Sequence, residues 1–214
     1  MSVTGVSLIL FLTFHCCMNV AAFFSGEAYN MVCGLLGANW YAIVATLALA
    51  GLACVHILYA FLLTMQNRRA RGNERYAVTA RRPEVSWASQ NMLVLGLVVV
   101  AGLLLHLWNF WYHMMYAELT GQEFYGVSPS DGFAFVKFVF GNPVFAVLYL
   151  IWMVALWFHL THGFWSSMQT LGLSGKVWLK RWQTIGSVYV TVLMAVFAFI
   201  VVAFYFGFAP SLAA

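Results

Sequence analysis

Residues 142–168, NPVFAVLYLIWMVALWFHLTHGFWSSM, decide the fold class of this chain. The run contains no Asp, Glu, Lys or Arg, and it exceeds the about 20 residues that a helix needs to cross a bilayer. Its second half carries His159 and His162, three residues apart among mostly apolar neighbours. Imidazoles are costly in a hydrocarbon environment, so the role of these two histidines is the first question that the sequence raises.

The rest of the chain has the same apolar character. Of the 214 residues, 64% are hydrophobic and 7% are charged, and the mean hydropathy is +0.87. A soluble domain needs many more charges on its surface. We therefore predict one all-α integral membrane domain over residues 1–214, a bundle of five transmembrane helices with no separate soluble domain. The predicted helices cover about residues 3–24, 40–65, 89–116, 142–168 and 182–208.

The positive charges predict which side of the membrane each helix end faces. Nine of the ten Lys and Arg residues lie in two connections, between helices two and three and between helices four and five. They are Arg68, Arg69, Arg71, Arg75, Arg81, Arg82, Lys176, Lys180 and Arg181. By the positive-inside rule both connections are cytoplasmic, which predicts a cytoplasmic N-terminus and an external C-terminus. The net charge of +4 therefore needs no nucleic acid to explain it, and it permits a protein partner on the cytoplasmic face.

Histidines are the chemically notable residues of the apolar runs. Each of the first four predicted helices carries one in its interior: His15, His56, His106 and His159. Ionisable residues at membrane depth are rare and usually face the bundle interior as functional groups. No Asp, Glu, Lys or Arg lies deep in any of the five helices, so a carboxylate-based proton or ion pathway has no evident components.

Distance from the helix ends sorts the four histidines into two pairs. Helices two and four enter from the outer side, and His56 and His159 each lie 16 residues beyond the Trp and the Pro near the start of those helices. At about 1.5 Å per residue both are roughly 24 Å from the outer end, nearer the cytoplasm. Helices one and three run the other way, so His106 lies in the outer half. His15 is assigned to the same depth partly by elimination.

Two neutral imidazoles at one depth on facing helices suit a six-coordinate b-type haem. An iron ligated on both sides has no open position, so it carries electrons and does not bind oxygen. Gly102, four residues before His106, and Gly163, four residues after His159, lie on the faces of their histidines and leave room for a porphyrin. Zinc is the competing metal, but a tetrahedral site needs three or four ligands at one depth, and here the depths divide two and two.

At these residues the sequence resembles the cytochrome b membrane-anchor subunit of succinate dehydrogenase and fumarate reductase, in the form with one five-helix chain and two haems. In the first helix, Gly5 lies ten residues before His15, and Asn19 and GEAYN (residues 26–30) follow. The other matching pieces are HILYAFLLT (56–64), SWASQNMLVLG (86–96), HLWNFW (106–111) and FHLTHGFWSSMQTLGL (158–173). Their order and spacing over most of the chain carry the resemblance.

The resemblance implies two haems of the b type, an inner one bound by His56 and His159 and an outer one bound by His15 and His106. It also implies a place for the chain in the inner membrane of a bacterium, as the anchor of a flavoprotein subunit and an iron–sulfur subunit on the cytoplasmic face. Electrons would pass between succinate or fumarate chemistry in those partners and a membrane quinone, menaquinone in most two-haem members. The chain itself would contain no catalytic residues for the dicarboxylate.

Three titratable residues predicted on the outer side, Glu27, His113 and Glu118, are candidates for exchanging the protons of the quinone. Loop residues that face water explain them equally well, and His113 also suits the aromatic belt of the membrane interface. His162 lies about 4.5 Å further along its helix than His159, so we expect His159 to ligate the iron. His162 would then bond a haem propionate or a backbone carbonyl.

Three other functions are compatible with a bundle that carries histidines. One is a two-haem cytochrome b of another oxidoreductase, such as a hydrogenase or formate dehydrogenase, which the copurifying subunits would distinguish. Another is a metal or solute transporter that uses histidines as ligands; it would need a water-lined path and would be colourless. The last is a structural anchor that has lost its haem. The direction of electron flow is not determined, because succinate oxidation and fumarate reduction use the same chain of haems.

Overall fold

The computed structural model of the chain describes residues 1–72 and 86–208. Within these ranges the regular elements are helices, apart from one isolated bridge between Phe124 and Val127. Five helices are long and apolar enough to cross a membrane, which confirms the predicted all-α bundle. These long helices, numbered one to five, are Ser2–Phe23, Trp40–Ala70, Met92–Thr120, Pro143–Thr170 and Trp178–Tyr205.

In chain order there are nine α-helices in the described ranges, and two other helical segments extend or join them. The α-helices are α1 (Ser2–Val20), α2 (Gly26–Leu36), α3 (Trp40–Arg71), α4 (Trp87–Gln90), α5 (Met92–His106), α6 (Ala117–Thr120), α7 (Gly132–Gly141), α8 (Pro143–Thr170) and α9 (Trp178–Tyr205). A 3₁₀ turn at Ala21–Phe23 extends α1, and a π-helix at Leu107–Tyr116 joins α5 to α6. Long helix three therefore changes its winding immediately after His106.

The helix ends differ from the prediction where local chemistry continues or interrupts a helix. Helix α3 runs to Arg71 instead of ending near residue 65, because the added residues include good helix formers. It ends at Gly72, which has a φ of +72°. Helix α9 begins at Trp178, where the Arg181 guanidinium lies 5.0 Å from the indole, a pairing suited to the membrane interface. Three residues of the predicted cytoplasmic connection, Arg75, Arg81 and Arg82, lie outside the described residues.

Two short helices that the sequence reading did not predict, α2 and α7, occupy the two predicted outer connections. Each begins at a capping side chain: Ser25 and Asp131 accept a backbone N–H of their first turns at 2.8 and 3.0 Å. Asn30 joins the two helices, since its amide nitrogen donates to Asp131 at 2.8 Å and its oxygen accepts from the Phe133 N–H at 2.9 Å. These helices cover one end of the bundle.

Long helix four is the centre of the bundle. It packs closely against long helices one, three and five, and long helix one also packs against two and five. Long helices one and three, which carry one predicted ligand pair, do not pack closely against each other in the described residues. The same holds for long helices two and four, which carry the other pair. Contact between paired histidines therefore depends on side chains that reach across the bundle. Large apolar side chains of long helix two are exposed, as a lipid-facing helix requires.

Candidate functional site

The histidines of long helices one and three meet inside the bundle. The ring centroids of His15 and His106 are 5.8 Å apart, and their planes are at 89°. We call these two residues the contact pair. Each ring is only partly exposed. The structure thus brings together the two histidines whose pairing rested partly on elimination.

Aromatic side chains surround the contact pair. His15 has Phe11 stacked against it at 5.6 Å and Phe197 of long helix five at 5.9 Å. His106 has three aromatic neighbours at 5.1 to 6.1 Å, namely Phe110, Trp152 and Tyr149. These aromatic side chains cover part of the surface of both imidazoles. Within the described ranges, neither imidazole makes a side-chain hydrogen bond, and His106 Nδ1 is buried without a partner.

The histidines of long helices two and four are arranged differently. No ring contact or hydrogen bond joins His56 to His159 in the described residues. We call these two residues the spaced pair. His56 Nδ1 lies 3.1 Å from the hydroxyl of Thr4, whereas His159 Nδ1 is buried with no hydrogen-bond partner in the described chain. One member of this pair is therefore held by a polar contact and the other is not.

His162 lies one turn beyond the spaced pair on long helix four. Its ring packs edge-on against Trp165, with centroids 4.9 Å apart and planes at 79°. Its Nδ1 is buried, and no group among the described residues bonds it. A backbone carbonyl, one of the two partners expected for His162, is therefore not found at this nitrogen.

The glycines predicted to leave room for a porphyrin have different surroundings. A β-carbon at Gly102 would lie 2.1 Å from Cδ1 of Trp152, so the indole of long helix four already fills that space. The indole is held there because its Nε1–H donates to the Val99 carbonyl at 3.0 Å. At Gly163 a β-carbon would meet nothing within 4 Å. Of the two predicted positions, only Gly163 has open space beside it.

Two other glycines face the spaced pair. A β-carbon at Gly5 would lie 3.4 Å from Cε1 of His56, and one at Gly96 would lie 3.9 Å from Cε1 of His159. Both distances describe close backbone approach to an imidazole edge. Gly5 is part of the pattern that carries the family resemblance, but its contact with a histidine of another helix could not be predicted from spacing along its own helix.

The three candidates for quinone chemistry do not form one cluster. Glu27 is exposed in the first turn of α2, and Glu118 is exposed and accepts the Ala38 N–H at 3.0 Å. His113 is buried, with its Nδ1 2.7 Å from the Trp108 carbonyl. It packs among rings of the π-helix, of the following loop and of α7, which does not suit a lipid-facing belt residue. No hydrogen bond or ring contact joins Glu27, His113 and Glu118 to one another in the described part of the chain.

Asn19 and the GEAYN segment form a hydrogen-bonded link beside the contact pair. Asn19 donates to the backbone carbonyl of His15 at 2.8 Å and accepts from the hydroxyl of Tyr29 at 2.9 Å. Burial raises the pKa of the Tyr29 hydroxyl, so this group stays protonated and can donate. Burial also raises the pKa of the nearby Cys33 thiol, to about 11. This link attaches α2 to the turn of long helix one that carries His15.

The buried polar residues other than histidine are, in the described residues, Thr4, Asn109 and Ser167. Sequence reasoning missed Thr4 and Asn109, whereas Ser167 was expected to face a haem propionate or the iron–sulfur partner at the cytoplasmic end of its helix. Asn109 lies in the π-helix and donates to the Tyr149 hydroxyl at 3.4 Å, and Ser167 donates to the Phe164 carbonyl at 2.6 Å. A Thr or Ser in a membrane helix commonly bonds its own backbone, so its identity alone does not signal a further role. The π-helix is visible only in the backbone structure and could not be predicted from the sequence. Such segments are frequent at functional sites.

Among the described residues, no group of three or more His, Cys, Asp or Glu side chains is placed to hold a metal ion. Comparisons of the chain with protein-family models, with curated proteins and with solved structures gave no match.

Proposed function

We propose that this chain is the membrane anchor and electron-transfer subunit of a succinate:quinone oxidoreductase or fumarate reductase, with two b-type haems. His56 and His159 would hold the inner haem, and His15 and His106 the outer one. The observation that carries the proposal is the placement of at least one histidine in each of four long helices, with His15 and His106 in contact across helices that do not pack closely.

The donor set suits the proposed cofactor. The rings of the contact pair are 5.8 Å apart. Each imidazole would offer a nitrogen lone pair to the iron of one haem. In addition, the Nδ1 atoms of His106 and His159 are buried and have no hydrogen-bond partner within the described chain. Buried polar atoms without a partner are rare in proteins.

The chain's own residues would set the conditions for electron transfer. Bound haem supplies reversible one-electron exchange at its iron. Neutral imidazoles provide the lone pairs, and aromatic side chains cover part of the surface of His15 and His106. Two histidine ligands to each iron would leave no open position for oxygen.

The proposed partners are a flavoprotein subunit and an iron–sulfur subunit on the cytoplasmic face of a bacterial inner membrane. Exposed basic residues at the end of α3 and the start of α9, including Arg68, Arg69 and Lys180, support a protein partner on the side they occupy. The electron partner within the bilayer would be a quinone, menaquinone by the family resemblance. Its protons would be exchanged at the outer side, where Glu27, His113 and Glu118 are the candidates.

The deciding experiment is a dithionite-reduced minus oxidised spectrum of the purified protein, with a pyridine haemochrome assay for haem per chain. We expect two b-type haems per chain. His159→Ala should lose one haem, and the matched His162→Ala protein should keep both, because only His159 is level with His56. A folded preparation without haem would overturn the proposal.

A further inference from the structure

Among the side chains of the described residues, only that of Thr4 forms a hydrogen bond with one of the four candidate ligand imidazoles. Thr4 lies in the first turn of α1 and is 8% exposed, so its hydroxyl is shielded from water. The hydroxyl group donates to the Met1 carbonyl at 2.8 Å, and its oxygen lies 3.1 Å from Nδ1 of His56. Long helix one is thereby attached to the histidine of long helix two.

The two polar contacts of Thr4 share a single hydroxyl hydrogen. A threonine hydroxyl carries one hydrogen, and a carbonyl can only accept. If the hydrogen of Thr4 goes to the Met1 carbonyl, the hydroxyl can offer only a lone pair to His56. His56 Nδ1 must then carry the proton and donate it to Thr4 Oγ1. In a neutral imidazole this leaves the lone pair on Nε2.

The backbone geometry supports the same contact. Gly5 follows Thr4, and its missing side chain lets α1 approach the ring edge: a β-carbon there would lie 3.4 Å from Cε1 of His56. Cε1 is the ring atom between the two nitrogens. Thr4 and Gly5 together therefore hold one edge of the imidazole, on the side of Nδ1, and leave Nε2 as the atom that can ligate.

We propose that Thr4 is a positioning residue, which fixes the tautomer and orientation of His56 so that Nε2 ligates the inner haem. The inference rests on the proposed function, because it assigns a role toward that haem. A hydrogen-bond acceptor at the far nitrogen of a ligating histidine fixes the ring and raises its basicity. A more basic ligand stabilises ferric iron, so Thr4 also lowers the potential of the inner haem relative to the same site without it.

The test is a potentiometric titration of the two haems, with haem content per chain, in Thr4→Val and Thr4→Ser proteins. Valine keeps the shape of threonine but has no hydroxyl, and serine keeps the hydroxyl. We expect Thr4→Val to raise the midpoint potential of one haem and leave the other unchanged. We also expect its inner haem to bind about 10- to 100-fold more weakly, the usual effect of removing an outer-shell partner of a metal ligand. Thr4→Ser should behave like the unaltered protein.

A matched control distinguishes this role from the general effect of removing a hydroxyl group from α1. Ser7 lies one turn further along α1, and within the described part of the chain its hydroxyl donates only to the Val3 carbonyl, at 3.0 Å. Ser7→Ala should change neither potential. Unchanged potentials and haem content in Thr4→Val would overturn the role of Thr4 while leaving the two-haem proposal standing. No haem in the folded, unaltered protein would overturn the proposed function, and the inference with it.

Discussion

The two histidine pairs of this bundle are held by different forces. The contact pair, His15 and His106, meets ring to ring inside aromatic walls, with no side-chain hydrogen bond in the described residues. In the spaced pair, His56 is bonded to Thr4 and His159 has no partner at Nδ1. Packing therefore orients the contact pair, whereas in the spaced pair a polar contact orients His56 alone. If both pairs bind haem, the two sites should respond differently to mutation, because their ligands are oriented by different interactions.

The largest expected effect is loss of one haem from a single ligand substitution. His106→Ala should reduce the haem content from two per chain to one, because the remaining imidazole of the contact pair cannot complete six-coordination. Adding His159→Ala should remove the second haem. The pyridine haemochrome assay measures both steps. Loss of both haems from folded His106→Ala protein would show that the two pairs are not independent sites.

The next effect concerns the packing beside the contact pair. Gly102→Ala should destabilise the protein by about 1–3 kcal/mol, the usual cost of overpacking, because the new β-carbon would lie 2.1 Å from the Trp152 indole. Unfolding in SDS, followed by circular dichroism, measures the difference. Gly51→Ala is the control, since a β-carbon at Gly51 meets nothing within 4 Å. Loss of haem from Gly102→Ala protein of unchanged stability would instead assign Gly102 to porphyrin packing.

A smaller effect is expected at the hydroxyl behind the contact pair. Tyr149→Phe removes the acceptor that Asn109 bonds at 3.4 Å, which should cost about 1 kcal/mol at most for so long a hydrogen bond. The ring that faces His106 remains, so haem content and the midpoint potentials should not change. A shifted potential in this variant would mean that polar groups, and not packing alone, tune the contact pair.

The smallest effect is expected far from both pairs. Glu118→Gln should change the free energy of unfolding by less than about 0.5 kcal/mol, because the amide oxygen can still accept the exposed Ala38 N–H. Haem content should stay at two per chain. Glu118→Ala, which removes the acceptor, should be the less stable of the two variants. The same unfolding measurement ranks them, and the reverse order would contradict a supporting role for this carboxylate.

Several features of the site were predictable because they depend on residue identity at a given position. The four histidines that depth selected lie on four different long helices, and His15 and His106 do meet. The caps Ser25 and Asp131 are residue types that begin helices, so α2 and α7 could have been predicted from them. The neighbours of Gly102 could not, because Trp152 is distant in the chain and its position depends on how two helices pack.

The sequence alone determined that this is a bundle of five apolar helices, with at least one histidine on each of the first four. Hydropathy and charge are summed over a continuous stretch of chain, so no tertiary contact is needed to read them. Only the tertiary structure decided that His15 touches His106, that Trp152 fills the space beside Gly102, and that Thr4 bonds His56. Each of these contacts joins residues on different helices, and it depends on helix rotation and separation, which local sequence does not encode.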